Sequence, residues 1–158
     1  MIFVAVGTQL PFDRLIGAVD EWAASRGRND VHAQIASGVA PSHVSYDRHL
    51  TPQEFDRHVA ECELLVAHAG TGSIFTALKF QRPLIVMPRR ADLGEHRNEH
   101  QMATAKHFAT ITNVRVAMDE SELAAALDQL DSIKSGLVVS PWGSGELIDA
   151  VKRFIGGK

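Results

Sequence analysis

Short, wholly apolar runs that end on glycine or histidine recur along this chain, and each is followed by a stretch with helical spacing. Ile2-Phe3-Val4-Ala5-Val6 stops at Gly7, and Leu64-Leu65-Val66-Ala67 stops at His68-Ala69-Gly70. Runs without polar alternation suit strands buried on both faces, which is the situation of a parallel sheet covered by helices. After the first run, Leu15, Ile16, Val19, Trp22 and Ala23 recur at helical spacing, so a helix is expected over about Phe12 to Ser25, closed by Arg26-Gly27. Further strands are expected at Val31 to Ala36, Val44 to Tyr46, Pro83 to Met87 and Thr110 to Thr112. Thr51-Pro52-Gln53-Glu54 reads as a helix start, with Thr51 as N-cap, Pro52 in the first turn and Glu54 as capping-box partner. Helices are also expected after Ser73 with Ile74, Ala77 and Leu78 on one face, over Asn98 to Phe108, and over Ser121 to Leu130. Strands alternating with helices imply an α/β fold, a Rossmann-like doubly wound parallel sheet with right-handed crossovers.

The chain has 158 residues, enough for one such unit and too few for two large domains with a cleft between them. We expect one domain over residues 1–139 and an appended segment over 140–158, where Leu147, Ile148, Val151, Phe154 and Ile155 share a helix face. Sixteen basic residues against nineteen acidic ones leave a net charge of −3, without the basic stripe of a nucleic-acid binder. No apolar stretch is long enough to span a bilayer and no basic leader precedes the first strand, so a cytoplasmic location is expected. Cys62 has no second cysteine to pair with and reads as a small buried residue.

In doubly wound sheets ligands bind beyond the carboxyl ends of the strands. Those ends are Gly7-Thr8-Gln9, His68-Ala69-Gly70-Thr71-Gly72-Ser73 and the polar loop Pro88 to Arg97. Glycines at a strand-to-helix turn let a ligand approach the backbone, and the N–H groups and positive helix end favour phosphate. The turn is no Walker A loop, for no Lys follows, and no dinucleotide fingerprint, for Phe75 stands at the third glycine. It could equally be a plain turn capped by Thr71 or Ser73. His68, at a strand end beside it, could be structural or catalytic; His32, His43, His49, His58 and His107 read as surface or strand-end residues. His96-Arg97-Asn98-Glu99-His100 fits an inverted zincin pattern, with His96 and His100 on one helix face and Glu120 or Glu122 the nearest later glutamates for a third ligand. A zinc hydrolase therefore stands as one alternative and a non-catalytic nucleotide-binding module as another.

Taken together, Ile2 to Gln9, Phe12 to Ile16, His68 to Ile74, Pro83 to Arg89 and Glu95 to Gln101 resemble, in order and spacing, the C-terminal domain of glycosyltransferase family 28. The likeness is greatest to stand-alone donor-binding subunits of dolichol-pathway and bacterial exopolysaccharide assembly. The resemblance implies the C-terminal lobe of a GT-B glycosyltransferase: an inverting hexosyltransferase lobe that holds a UDP-sugar without a bound metal or other cofactor. It implies further that Gly7, Thr8 and Gln9 line the diphosphate side, that Gly70, Thr71, Gly72 and Ser73 cradle the phosphates, and that Asn98, His100 and Gln101 occupy an Asn-x-His-Gln motif reaching sugar hydroxyls. Arg89 is assigned to the donor and Glu95 to loop order. Thr76 stands where many family members have a ribose-binding Glu. The acceptor side and general base are then expected on a membrane-anchored partner that presents a lipid-linked sugar, recruiting the chain to the inner face of the membrane.

Overall fold

The computed structural model describes residues 1–96, 100–109 and 113–135. Six strands form one parallel sheet: β1 (Ile2–Ala5), β2 (Val31–Gln34), β3 (Ser45–Asp47), β4 (Leu64–His68), β5 (Leu84–Met87) and β6 (Val114–Val116). Their order is β3-β2-β1-β4-β5-β6, so the direction of winding reverses between β1 and β4. The crevice outside the carboxyl ends of those two strands is where such a sheet receives a ligand. The helices are α1 (Asp13–Arg26), α2 (Pro52–Glu61), α3 (Thr71–Lys79), α4 (His100–Phe108), α5 (Glu120–Asp128) and α6 (Leu130–Ser135).

The apolar runs are buried on both faces, as their lack of alternation requires. In β1, Ile2 and Val4 face a core built with Leu15, Ile16, Val19 and Trp22 of α1 and Leu123 and Leu127 of α5. Phe3 and Ala5 face the opposite core, with Val59 of α2, Ile74 and Ala77 of α3 and Phe108 of α4. Each large side chain so buried stabilises the fold by roughly 1.5–3 kcal/mol. Cys62 lies in that second core, and burial pushes its thiol up to about 11.

Local chemistry sets the helix ends. Gly27 closes α1 in the left-handed region at φ 62°, and the Thr51–Glu54 capping box opens α2 with both reciprocal bonds present. The Asp119 carboxylate accepts from the Glu122 N–H at 2.9 Å to start α5. The Trp22 indole N–H, donating to Asp128 at 2.9 Å, ties α1 to α5.

The last described strand is Val114–Val116, entered from Asn113, whose carbonyl accepts from Leu84 N at 3.0 Å, and the strand expected at Thr110 to Thr112 lies outside the described residues. One expectation changes. The expected Ser121 to Leu130 helix is two pieces, α5 and α6, broken at Gln129. Residues 110–112, Asn98, Glu99 and the 140–158 segment lie outside the described residues.

Candidate functional site

Two chain turns meet at the crevice. β1 runs into Gly7, whose φ of +85° is the left-handed region that favours glycine. The buried Gln34 amide, at the end of β2, fixes that turn. It accepts from Gly7 N at 3.2 Å and donates to Gly7 O at 3.0 Å and Arg48 O at 3.1 Å. β4 runs through His68 into Gly70, the N-cap of α3.

The His68 imidazole lies between these turns. A Cβ at Gly7 would stand 2.7 Å from His68 Cε1, and one at Gly70 would stand 2.1 Å from His68 Nε2. These two glycines thus make room for the imidazole, whereas the sequence suggested room for a ligand. Gly72 differs: a Cβ there meets nothing within 4 Å, so its face of the helix start opens on the crevice. The expected cap by Thr71 or Ser73 does not form. Both residues sit inside the first turn, and the N-cap position is glycine with no side-chain cap bond. The N-cap residue thus supplies no side-chain oxygen to the positive end of α3, which faces the crevice.

His68 Nδ1 is buried with no hydrogen-bond partner among the described residues. Burial first, and then the charge of Arg89, push the imidazole down to about 4, against a weaker opposing contribution from the Ala5 backbone. His68 is accordingly neutral at neutral pH.

Arg89 follows β5 and is almost fully buried. It donates to the carbonyls of Val6 at 2.8 Å, Leu10 at 2.7 Å and Pro11, and its guanidinium carbon lies 4.6 Å from the Phe12 ring centroid. Its charge thereby clamps the Gly7 to Pro11 turn, and burial lowers its pKa from the ordinary value. Gln101 of α4 accepts from the Arg89 backbone N–H at 3.1 Å. Glu95 receives Arg14 in bidentate fashion at 2.7 and 2.8 Å and accepts from Arg90 N at 2.8 Å. Thr76 Oγ donates back to Gly72 O at 2.9 Å, which leaves its lone pairs as acceptors.

A cavity of about 630 Å³ occupies the crevice, inside the size range of small-molecule sites. Of the expected residues, Gly7, Thr8, Gln9, His68, Gly70, Thr71, Gly72, Ser73, Thr76, Arg89 and Gln101 line it. Glu95 stands behind, holding the loop. The side chain of His100 and all of Asn98 lie outside the described residues. The opposite wall comes from Gln34, His49, Leu50, Pro52, Phe55 and Asp56, which sequence reasoning missed. The signal for that wall was the capping box, since it starts α2 at the cleft.

His96 also lines the cavity, while Glu99 and the His100 side chain of the zincin pattern lie outside the described residues. Both glutamates are engaged elsewhere: Glu120 approaches Arg14 at 3.5 Å and Glu122 accepts from Met118 N at 2.8 Å. No helix among the described residues is long and apolar enough to cross a membrane.

A doubly wound parallel sheet with its cavity at the β1/β4 reversal has the architecture of the C-terminal lobe of GT-B glycosyltransferases. Residues 1–137 match the glycosyltransferase family 28 C-terminal domain, and the chain belongs to that family. Among curated proteins it is similar to the UDP-N-acetylglucosamine transferase subunit ALG13 of Eremothecium gossypii. The two are 43% identical over 65 residues, which cover 40% of this chain and 30% of that one. Among solved structures, the glycotransferase of kitacinnamycin superposes with a TM-score of 0.62 at 19% identity, over 86% of this chain and 37% of that one. The solution structure of ALG13 gives 0.59 at 18% identity, over 84% and 86% respectively. The chain thus matches less than a third of its curated relative's length and over a third of the kitacinnamycin enzyme.

Proposed function

We propose that the chain is the donor-binding subunit of a UDP-sugar-dependent, inverting hexosyltransferase of polysaccharide or glycolipid assembly. The observation that carries this reading is the start of α3, where a glycine N-cap and the open face of Gly72 present uncapped helix N–H groups to a cavity of about 630 Å³. Such a helix end takes a diphosphate and stabilises the charge that develops on a departing UDP. Thr76, one helical turn further on, offers hydroxyl lone pairs to the nucleoside, and Gln101 brings an amide to the sugar side. The neutral imidazole of His68 beside the turn adds no charge. Arg89 acts on the donor by holding the Gly7 to Pro11 turn, and no tightly bound metal is needed.

The acceptor side and the general base come from a partner attached to the membrane, which presents a lipid-linked sugar and brings this chain to the inner face of the membrane. Support for the partner is the similarity to a protein named as a transferase subunit. The test combines the purified chain with candidate membrane-attached partners, using UDP-hexoses as donors. Transfer in the mixture and in neither component alone is the expected result. Transfer by the chain unaided would overturn partner dependence, and no effect of UDP on its thermal midpoint would overturn donor binding.

A further inference from the structure

Away from the cleft, His32 of β2, Asp47 of β3 and His58 of α2 bring three ligand atoms within 4.8 Å of one another. Ser45 Oγ lies 2.9 Å from His32 Nδ1 and 3.0 Å from Val31 O, and its single hydrogen serves only one of them. With that hydrogen on Val31 O, the ring donates from Nδ1 and turns the lone pair of Nε2 to the Asp47 carboxylate oxygen 3.0 Å away. In that tautomer a metal ion takes the place that a proton on Nε2 holds in the other.

The His58 ring stacks on His32 with centroids 5.0 Å apart and planes 12° from parallel, and no hydrogen bond engages it among the described residues. We propose that His32, Asp47 and His58 bind one divalent transition-metal ion of the Zn2+ class, clipping the edge strand β3 and helix α2 to β2. Nothing about the donor cleft is needed for it.

The donor set is that of a zinc site, two imidazoles and a carboxylate with water completing the shell. Ligand atoms at about 2.0–2.2 Å from zinc stand roughly 3.3 Å apart in a tetrahedron, close to the His32–Asp47 separation already present. Rotation of the His58 ring, which is held by stacking and not by hydrogen bonds, closes the remainder. Ser45 plays the orienting part that metal-bound histidines usually receive from a neighbour, taking the proton of the second ring nitrogen. Asp47 is exposed, so an ion enters directly from solvent.

The experiment strips the untagged full chain with a chelator, dialyses it, and titrates it with Co2+ while recording visible absorbance. One equivalent giving the intense bands of a four-coordinate ion is expected, with Zn2+ displacing it. His58→Ala and Asp47→Asn should each weaken binding at least ten-fold, Ser45→Ala by about ten-fold to a hundred-fold, and His43→Ala should leave it unchanged. Circular dichroism checks that each variant folds. Weak binding of several equivalents that ignores these substitutions would overturn the proposal, as would failure to bind, which leaves a proton on Nε2 as the cation. Binding lost in His96→Ala and kept in His58→Ala would overturn it in favour of the zincin-like pattern.

Discussion

The imidazole of His68 occupies the space a side chain at Gly70 would need: a Cβ on Gly70 would stand 2.1 Å from His68 Nε2. Gly70→Ala should therefore destabilise the protein by roughly 1–3 kcal/mol, as overpacking does. Gly72→Ala, in open space, should cost far less. Urea denaturation measures both. In the double variant His68→Ala/Gly70→Ala the penalty at Gly70 should shrink, giving a coupling on the order of 1 kcal/mol or more. Additive effects would show that the ring and the glycine do not compete.

His68 also gives the fold an acid sensitivity of definite sign. Its folded pKa lies near 4, whereas an unfolded histidine titrates near 6.5. Below about pH 6.5 the unfolded chain takes up a proton that the native state refuses, so stability falls until about pH 4 and then stops falling on this account. The loss is on the order of 3 kcal/mol. His68→Gln should flatten that part of the stability profile in denaturant titrations across the range, and an unaltered slope would show that His68 is not the group responsible.

Arg89 reaches three carbonyls of the turn after β1. Lysine has a point charge and cannot match that fork. Arg89→Lys should lower stability by roughly 2 kcal/mol, since buried carbonyls lose their donors. Hydrogen exchange should quicken at Thr8, Gln9 and Leu10 while the amides of β4 keep their protection. Uniform quickening would point to global destabilisation instead.

The Arg14–Glu95 pair, both members largely buried, anchors the loop after β5 to α1. Glu95→Gln keeps the shape and removes the charge, and should cost roughly 1–2 kcal/mol. Double-mutant cycles with Arg14→Gln measure the coupling; none would mean that the pair is replaced by water.

What the sequence made legible follows from the range of the interactions. β1 and β4 were plain because a strand buried on both faces must be apolar throughout, and the start of α2 because Thr51, Pro52 and Glu54 act within one turn. β6 was not legible, because its three residues, Val114, Arg115 and Val116, carry too short a period. In the site, the turns at Gly7 and Gly70 to Ser73 were legible from glycines at strand ends. The reason for Gly7 and Gly70 was not, because it lies in the ring of His68. Gln34 and the wall with His49, Leu50, Pro52, Phe55 and Asp56 were hidden too, since the fold and not sequence spacing brings them to the cavity. Arg89 read as a ligand for the donor, and its three carbonyl partners sit about eighty residues away.

The most direct test is calorimetric titration of UDP into the chain and into Gly72→Leu, in chelator-containing buffer. A leucine there projects from the helix start into open space, so it should block the cavity while leaving the fold intact by circular dichroism. Saturable binding of UDP to the native chain without metal, reduced at least ten-fold in the variant, is the expected result. Equal binding to both proteins would contradict the placement of the diphosphate at the start of α3, and no binding to the native chain would contradict the donor-binding role itself.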